Sequence, residues 1–183
     1  MRYRGRKRIR IPWDDVKRIG IYAAFMFLLA VAQCSFFARI EKLPATPDLI
    51  LAAVTVIAVT DRWESAAISG IVGGIIIDAL GGVGIYLSPV LYFAAALVVW
   101  TISQKMMTRY LSWLAVFPVA CLMRAAFTIL LIFLSASAFE FTDALLYIIL
   151  PEAIVTLVFA LPQYPLIRLC TLPFQGRRDL PIR

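Results

Sequence analysis

The sequence predicts an all-α integral membrane protein, a bundle of six transmembrane helices with both termini in the cytoplasm. Of its 183 residues, 62% are hydrophobic and 16% charged, and the mean hydropathy of +0.89 lies outside the range of water-soluble domains. About six apolar runs approach the roughly 17–25 residues that a helix needs to cross a bilayer. Lysine and arginine concentrate on one side of these runs, which predicts their orientation.

The predicted spans are residues 19–38, 48–62, 65–80, 85–104, 112–135 and 144–169. The second and third are short, so a five-span arrangement stays open if one of them re-enters the same side. The first span follows a basic segment but has no small-residue cleavage site, so we expect it to be retained. The chain then divides into a basic N-terminal segment, a transmembrane domain and a basic tail, residues 1–18, 19–170 and 171–183.

Charge supports this topology. With the N-terminus inside, all of the 18 basic residues except Arg39, Lys42 and Arg124 fall on the cytoplasmic side. There the basic segment RYRGRKRIRIP is expected to bind anionic lipids, at about 1 kcal/mol per basic residue near the surface. We expect no nucleic-acid binding, because this segment adjoins a span and has little aromatic interleaving.

The residue types favour neither a metal site nor an enzyme. Cys34, Cys121 and Cys170 form no CxxC motif, and the chain has no histidine, so we interpret the cysteines as packing residues. No Gly-x-Ser-x-Gly motif and no pair of aspartates at catalytic spacing is present. We therefore predict no catalytic activity and no cofactor.

Glycines and one acid share a face of the third span. Gly70 and Gly74 fit the small-xxx-small pattern, which lets two helix backbones approach closely, and Gly73 flanks the same side. Asp78 lies one turn further on. We expect it to face a neighbouring helix, since a carboxylate in hydrocarbon costs several kcal/mol unless it is paired.

Arg124 is the leading candidate for the partner of Asp78. It lies about 18 Å of helical rise from the cytoplasmic start of the fifth span, and Asp78 lies at a similar height in the third. We therefore predict an Asp78–Arg124 pair, with Glu152 of the last span nearby. Such charges either fix the packing of the helices or form a path for ions or protons. The absence of histidine favours the structural role.

Two short motifs mark the ends of spans. In TPD, residues 46–48, we expect Thr46 as the N-cap of the second span, Pro47 at the first helical position and Asp48 in the first turn. GGVG, residues 81–84, predicts a tight outer turn after the third span.

The stretch PDLILAAVTVIAVTDRWESAAISGIVGGIIIDALGGVGIYLSPVLYFAAALVV resembles the signature region of the rod shape-determining protein MreD family. It has a Pro-Asp at the start of one span, then a glycine-rich span that ends in an aspartate and a glycine-containing turn. The matching positions are Pro47, Asp48, Gly70, Gly73, Gly74, Asp78 and Gly84. LPEAIVTLVFALPQYPLIR is similar to the family's last span, so the likeness covers most of the chain after residue 40.

The resemblance implies a non-enzymatic scaffold in the bacterial inner membrane. Such a protein sits beside MreC in the elongation (Rod) complex and, with MreB, RodA and a class B penicillin-binding transpeptidase, supports cell shape and lateral peptidoglycan synthesis. The face of Gly70 and Gly74 then packs within the bundle or against a partner helix.

The family is also similar in span count to the substrate-binding subunits of energy-coupling-factor transporters. A small-molecule-binding transport subunit is therefore the alternative function. Its ligand would be held among Gln33, Asp78, Arg124 and Glu152, because a binding pocket combines an apolar cavity with a few convergent polar groups.

Overall fold

The computed structural model describes residues 13–40, 45–81, 87–106, 109–134 and 149–175. These residues form helices and contain no β-strand, which confirms the all-α prediction for this part of the chain. The α-helices are α1 Trp13–Val31, α2 Leu49–Thr60, α3 Trp63–Gly81, α4 Ser88–Ser103, α5 Arg109–Leu134 and α6 Leu150–Gln175. A π-helical turn, Ala32–Phe36, and a 3-10 turn, Phe37–Arg39, extend α1.

Three stretches of helix are long and apolar enough to cross a membrane: Val16–Phe36, Trp63–Gly81 and Leu150–Cys170. Leu49–Thr60, Ser88–Ser103 and Leu114–Leu130 are apolar but shorter. At 1.5 Å per residue, α2 is only about 18 Å long, against a hydrocarbon core of about 30 Å. The number of helices thus agrees with the six predicted spans, and length and composition establish three candidate crossings among the described residues.

The short helix α2 lies at the centre of the bundle. Every residue from Leu49 to Val59 is buried, and α2 packs against α3, α4, α5 and α6. Apolar residues on all sides of a helix are typical of such a central position. The Thr55 hydroxyl donates to the carbonyl of Leu51 at 2.7 Å, so this buried hydroxyl is satisfied within its own helix.

The glycine face of α3 packs against α4 and α2. A Cβ atom on Gly70 would lie 2.8 Å from the carbonyl oxygen of Tyr92, and one on Gly74 would lie 2.4 Å from Cα of Pro89. On Gly73 it would lie 2.8 Å from Cγ2 of Ile50 in α2. Only glycine permits such distances, so the predicted close-packing face is occupied inside the bundle by the protein's own helices.

A buried polar group at the C-terminal end of α2 joins it to α1. Nη1 of Arg18 lies 3.1 Å from Oδ1 of Asp61, and the Tyr22 hydroxyl donates to Oδ2 of Asp61 at 3.0 Å. The Arg18 and Asp61 side chains are 7% and 6% exposed. The N–H of Asp61 also donates to the carbonyl of Ile57 at 2.9 Å and closes the helix. We call Arg18, Tyr22 and Asp61 the Asp61 cluster.

Candidate functional site

A larger polar cluster surrounds the N-terminal end of α2. Five elements contribute to it: the π-helical turn, the residue before α2, and helices α4, α5 and α6. Its members are Gln33, Asp48, Tyr92, Arg124, Glu152 and Thr156. We call these residues the Asp48 cluster.

Asp48 is the N-cap of α2. Its Oδ1 accepts a hydrogen bond from the N–H of Leu51 at 2.9 Å, and the residue is 1% exposed. The prediction that Thr46 caps the helix, with Pro47 and Asp48 already helical, is wrong, because α2 begins at Leu49. Both side chains suit an N-cap, but the carboxylate also matches the partial positive charge of the helix start and has further partners that hold it there.

Neighbouring side chains satisfy other N–H groups at this helix end. The N–H of Asp48 donates to Oγ1 of Thr156, and the N–H of Leu49 donates to Oε1 of Gln33, both at 2.9 Å. Water cannot solvate a helix end that is buried, so its N–H groups need acceptors from the protein. Gln33 lies in the π-helical turn, a local irregularity that often marks a functional position.

One guanidinium serves two carboxylates. Nε of Arg124 lies 3.3 Å from Oδ2 of Asp48 and 3.2 Å from Oε1 of Glu152. The Tyr92 hydroxyl lies 3.0 and 2.9 Å from the two oxygens of Asp48 and donates its proton to that carboxylate. The cluster holds two carboxyl groups and a single guanidinium. The ion pairs join α2, α5 and α6, and the hydrogen bond from Tyr92 connects α4 to them.

Asp78 does not belong to this cluster. Its Oδ2 accepts a hydrogen bond from the backbone N–H of Ser88 at 3.2 Å, at the first residue of α4. The predicted Asp78–Arg124 pair is therefore wrong, whereas the predicted proximity of Glu152 to Arg124 is correct. The reason is the order of the helices: α4 packs extensively against both α3 and α5, which have little contact with each other among the described residues.

The positions that carry the family resemblance fall into separate places. Asp48 is at the centre of the cluster and Pro47 is buried next to it. Gly70, Gly73 and Gly74 lie in the helix packing described above. Gly84 and the rest of the predicted turn after Gly81 lie outside the described residues.

A small cavity adjoins the ion pairs. Its lining includes Leu51, Cys121, Arg124, Ala125, Glu152 and Ala153. Its volume is about 10 Å³, room for about one water molecule, whereas pockets for drug-sized ligands measure roughly 300–1,000 Å³. Gln33 and Asp78 accept backbone hydrogen bonds and do not line this cavity, so the four polar residues proposed to hold a ligand do not converge on it.

Cysteine and amide side chains outside the cluster form no second ligand site among the described residues. The described ranges contain no group of three or more histidine, cysteine, aspartate or glutamate side chains placed to hold a metal ion. Gln163 in α6 is 4% exposed, and neither its Nε2 nor its Oε1 has a hydrogen-bond partner within the part of the chain that the structure describes. A single amide without convergent polar neighbours does not define a binding site.

Tyr92 and Thr156 are the cluster members to which sequence reasoning assigned no role in the site. A buried tyrosine hydroxyl usually has a hydrogen-bond partner, so the sequence could have predicted that Tyr92 bonds to some polar group. Its partner depends on which helices are neighbours, which no local pattern gives. Thr156 lies among apolar residues of the predicted last span, and that pattern gives no indication of its partner.

Comparisons of the chain with family models, with curated proteins and with solved structures find no match in any of the three. What the Asp48 cluster can do therefore follows from its own chemistry. Its contacts are helix caps, interhelical hydrogen bonds and ion pairs, all of which hold helices in fixed positions.

Proposed function

We propose that this chain is a non-enzymatic scaffold in the bacterial inner (cytoplasmic) membrane, with six transmembrane helices and both termini in the cytoplasm. In this proposal it is the MreD component of the elongation (Rod) complex. It binds MreC and, with MreB, RodA and a class B penicillin-binding transpeptidase, supports cell shape and lateral peptidoglycan synthesis. Its basic N-terminus binds anionic lipids.

The observation that carries the proposal is the use made of the polar groups inside the bundle. Asp48, Arg124 and Glu152 join three helices, and Asp78 satisfies the start of a fourth. Breaking a buried ion pair costs about 3–5 kcal/mol, so such pairs hold a helix bundle in one arrangement. A bundle that presents a fixed surface suits a scaffold. The alternative of a small-molecule transport subunit has less support, because Asp78 lies apart from the other three polar groups assigned to its ligand and Gln33 satisfies a helix end.

The positions of basic residues support the proposed topology. The close contacts Gly70–Tyr92 and Gly74–Pro89 make α3 and α4 antiparallel, so Lys105 lies at the same end of the bundle as Arg62. Arg18 reaches Asp61 at this end as well. Basic residues favour the cytoplasmic side of a membrane protein, so this end is assigned to the cytoplasm.

Co-purification and depletion together test the proposal. The tagged chain is expected to retain MreC when purified in mild detergent from membranes containing both proteins, and an unrelated tagged multi-pass protein is expected to retain none. Depletion is expected to convert rods into spheres without a nutrient defect. Loss of MreC from a folded wild-type chain, or normal rods after depletion, would refute the scaffold function. A nutrient-specific growth defect would favour the transport subunit.

A further inference from the structure

Helix α6 carries one buried polar side chain that the bundle does not satisfy. Gln163 is 4% exposed, and its Oε1 and Nε2 both lack a hydrogen-bond partner among the described residues. It lies seven residues before the end of the candidate crossing Leu150–Cys170, which is about 10 Å of helical rise. Neither water nor headgroups solvate a side chain at that depth, so nothing outside the protein replaces the missing partner.

Two prolines flank this amide. Pro162 and Pro165 have no N–H, so they cannot donate to the carbonyls of Val158 and Leu161, four residues earlier. Both prolines are exposed on the outside of the helix. Helix α6 continues through them from Leu150 to Gln175, but without two of the hydrogen bonds that keep a regular helix straight. Prolines are the usual places where long helices bend.

Polar contacts fix the part of α6 that precedes the prolines. Oγ1 of Thr156 accepts the N–H of Asp48 at 2.9 Å, and Oε1 of Glu152 lies 3.2 Å from Nε of Arg124. After the prolines, Ile167 is 1% exposed and belongs to the apolar core. Apolar contacts are non-directional, whereas hydrogen bonds and ion pairs fix both distance and orientation. A bend at the prolines would therefore move the part of α6 that follows them.

The part of α6 after the prolines lies at the end of the bundle assigned to the cytoplasm. Helix α6 packs against α1 and α2, and Cys170 lies near enough to Tyr22 to act on it electrostatically. Tyr22 belongs to the Asp61 cluster, whose two charged side chains are 7% and 6% exposed. This part of α6 is therefore beside the Asp61 cluster, between the cytoplasm and Gln163.

We propose that Pro162 and Pro165 form a hinge in α6. At this hinge residues 166–175 move away from α1 and α2, and water enters from the cytoplasm, beside the Asp61 cluster, as far as Gln163. The closed state leaves the amide without partners, and the open state hydrates it. The amide therefore favours opening, and the apolar contacts of Ile167 oppose it. This conformational device goes beyond the proposed scaffold function and does not depend on it, because it involves this chain alone.

A buried cysteine can report the open state. In a chain whose three natural cysteines are replaced by alanine, Ile167→Cys places a thiol where the closed bundle hides it. Its rate of modification by a water-soluble maleimide, measured on the folded protein in lipid nanodiscs, follows the open fraction. Gln163→Met removes the amide and fills a similar volume. It is expected to slow the modification about fivefold, the change that about 1 kcal/mol produces.

Matched substitutions elsewhere in the chain serve as controls. Gln104→Met changes an exposed glutamine at the end of α4, and Pro118→Ala removes an exposed proline from α5, so neither is expected to alter the rate. Pro162→Ala combined with Pro165→Ala is expected to slow the modification, because the restored N–H groups can bond to the preceding turn. A thiol at Ala160→Cys, equally buried but before the hinge, is expected to stay unmodified.

Three results would overturn the hinge. An unchanged rate after Gln163→Met would mean that a trapped water molecule or another group satisfies the amide inside the closed bundle. A faster rate would mean that the amide holds α6 in place. Equal modification of Ala160→Cys and Ile167→Cys would mean that the whole bundle unfolds instead of one part of α6. Gln163→Met decides the matter even if the double proline variant does not fold.

Discussion

The carboxylate of Asp48 lies 3.3 Å from Nε of Arg124, and this contact joins the buried start of α2 to the middle of α5. Asp48 therefore has two functions in one side chain: it accepts the N–H of Leu51 as an N-cap, and it holds the charge of Arg124. The two can be separated, because asparagine caps a helix about as well as aspartate but carries no charge.

A double-mutant cycle tests the ion pair. Arg124→Gln is expected to lower the free energy of unfolding by about 3–5 kcal/mol, because it leaves the carboxylates of Asp48 and Glu152 without their cation. Asp48→Asn is expected to cost less, because Arg124 keeps Glu152 as its partner. The double variant is expected to lose less than the sum, measured by unfolding of the purified protein in detergent or lipid. As the control, Asp78→Asn combined with Arg124→Gln should give additive losses. Coupling of Arg124 to Asp78 instead of Asp48 would contradict the site geometry.

Replacement of glycines in α3 tests the helix packing. Gly70→Ala and Gly74→Ala place a Cβ atom within 2.8 Å and 2.4 Å of the α4 backbone, so we expect both to lower the melting temperature strongly. Gly20→Ala in α1 is the matched control, because no atom lies within 4 Å of its Cβ position. In a helix this change should be neutral or stabilising, by up to about 1 kcal/mol. Equal tolerance at the three positions would refute the close packing of α3 on α4.

Two substitutions of Asp78 separate its charge from its hydrogen bond. Asp78→Asn keeps an oxygen that accepts the N–H of Ser88, so we expect only a small loss of thermal stability. Asp78→Leu leaves that N–H without its acceptor and should cost about 1–3 kcal/mol. If Asn is as damaging as Leu, the negative charge itself matters and a role in an ion or proton path regains support.

The same substitution at two glutamines should have opposite effects. Gln33→Met removes the acceptor for the N–H of Leu49 and should destabilise the protein by about 1–3 kcal/mol. Gln163→Met replaces a buried amide that has no hydrogen-bond partner among the described residues, so it should be neutral or stabilising. Thermal unfolding of the two variants against the wild type measures both. Destabilisation by Gln163→Met would show that its amide makes a contact.

Hydropathy was sufficient to locate the helices. The predicted spans 48–62, 65–80 and 85–104 correspond to α2 Leu49–Thr60, α3 Trp63–Gly81 and α4 Ser88–Ser103. Long apolar runs bounded by charged or turn-forming residues leave few alternatives to a helix. The burial of α2 on every side also follows from its sequence, which offers no polar face to a solvent.

The pairing of the charged residues could not be predicted in the same way. Similar heights in their spans suggested Asp78 for Arg124, but height does not say which helices are neighbours. Arg124 pairs with Asp48, the N-cap of α2. In the sequence, Asp48 looked like an ordinary residue at the start of a helix. The prediction that Glu152 lies near Arg124 is correct: its Oε1 lies 3.2 Å from Nε of Arg124, and its helix packs beside α2.

Because α2 is enclosed on all sides, bilayer thickness has no direct means of acting on it. Longer helices such as α1, α3 and α6 would meet a thicker or thinner membrane by tilting. The separation of the Asp48 and Asp61 clusters, about 18 Å along α2, would not follow that change. The helix therefore keeps its two polar clusters at a constant distance, and polar groups at the two ends of the bundle would stay equally far apart in membranes of different lipid composition.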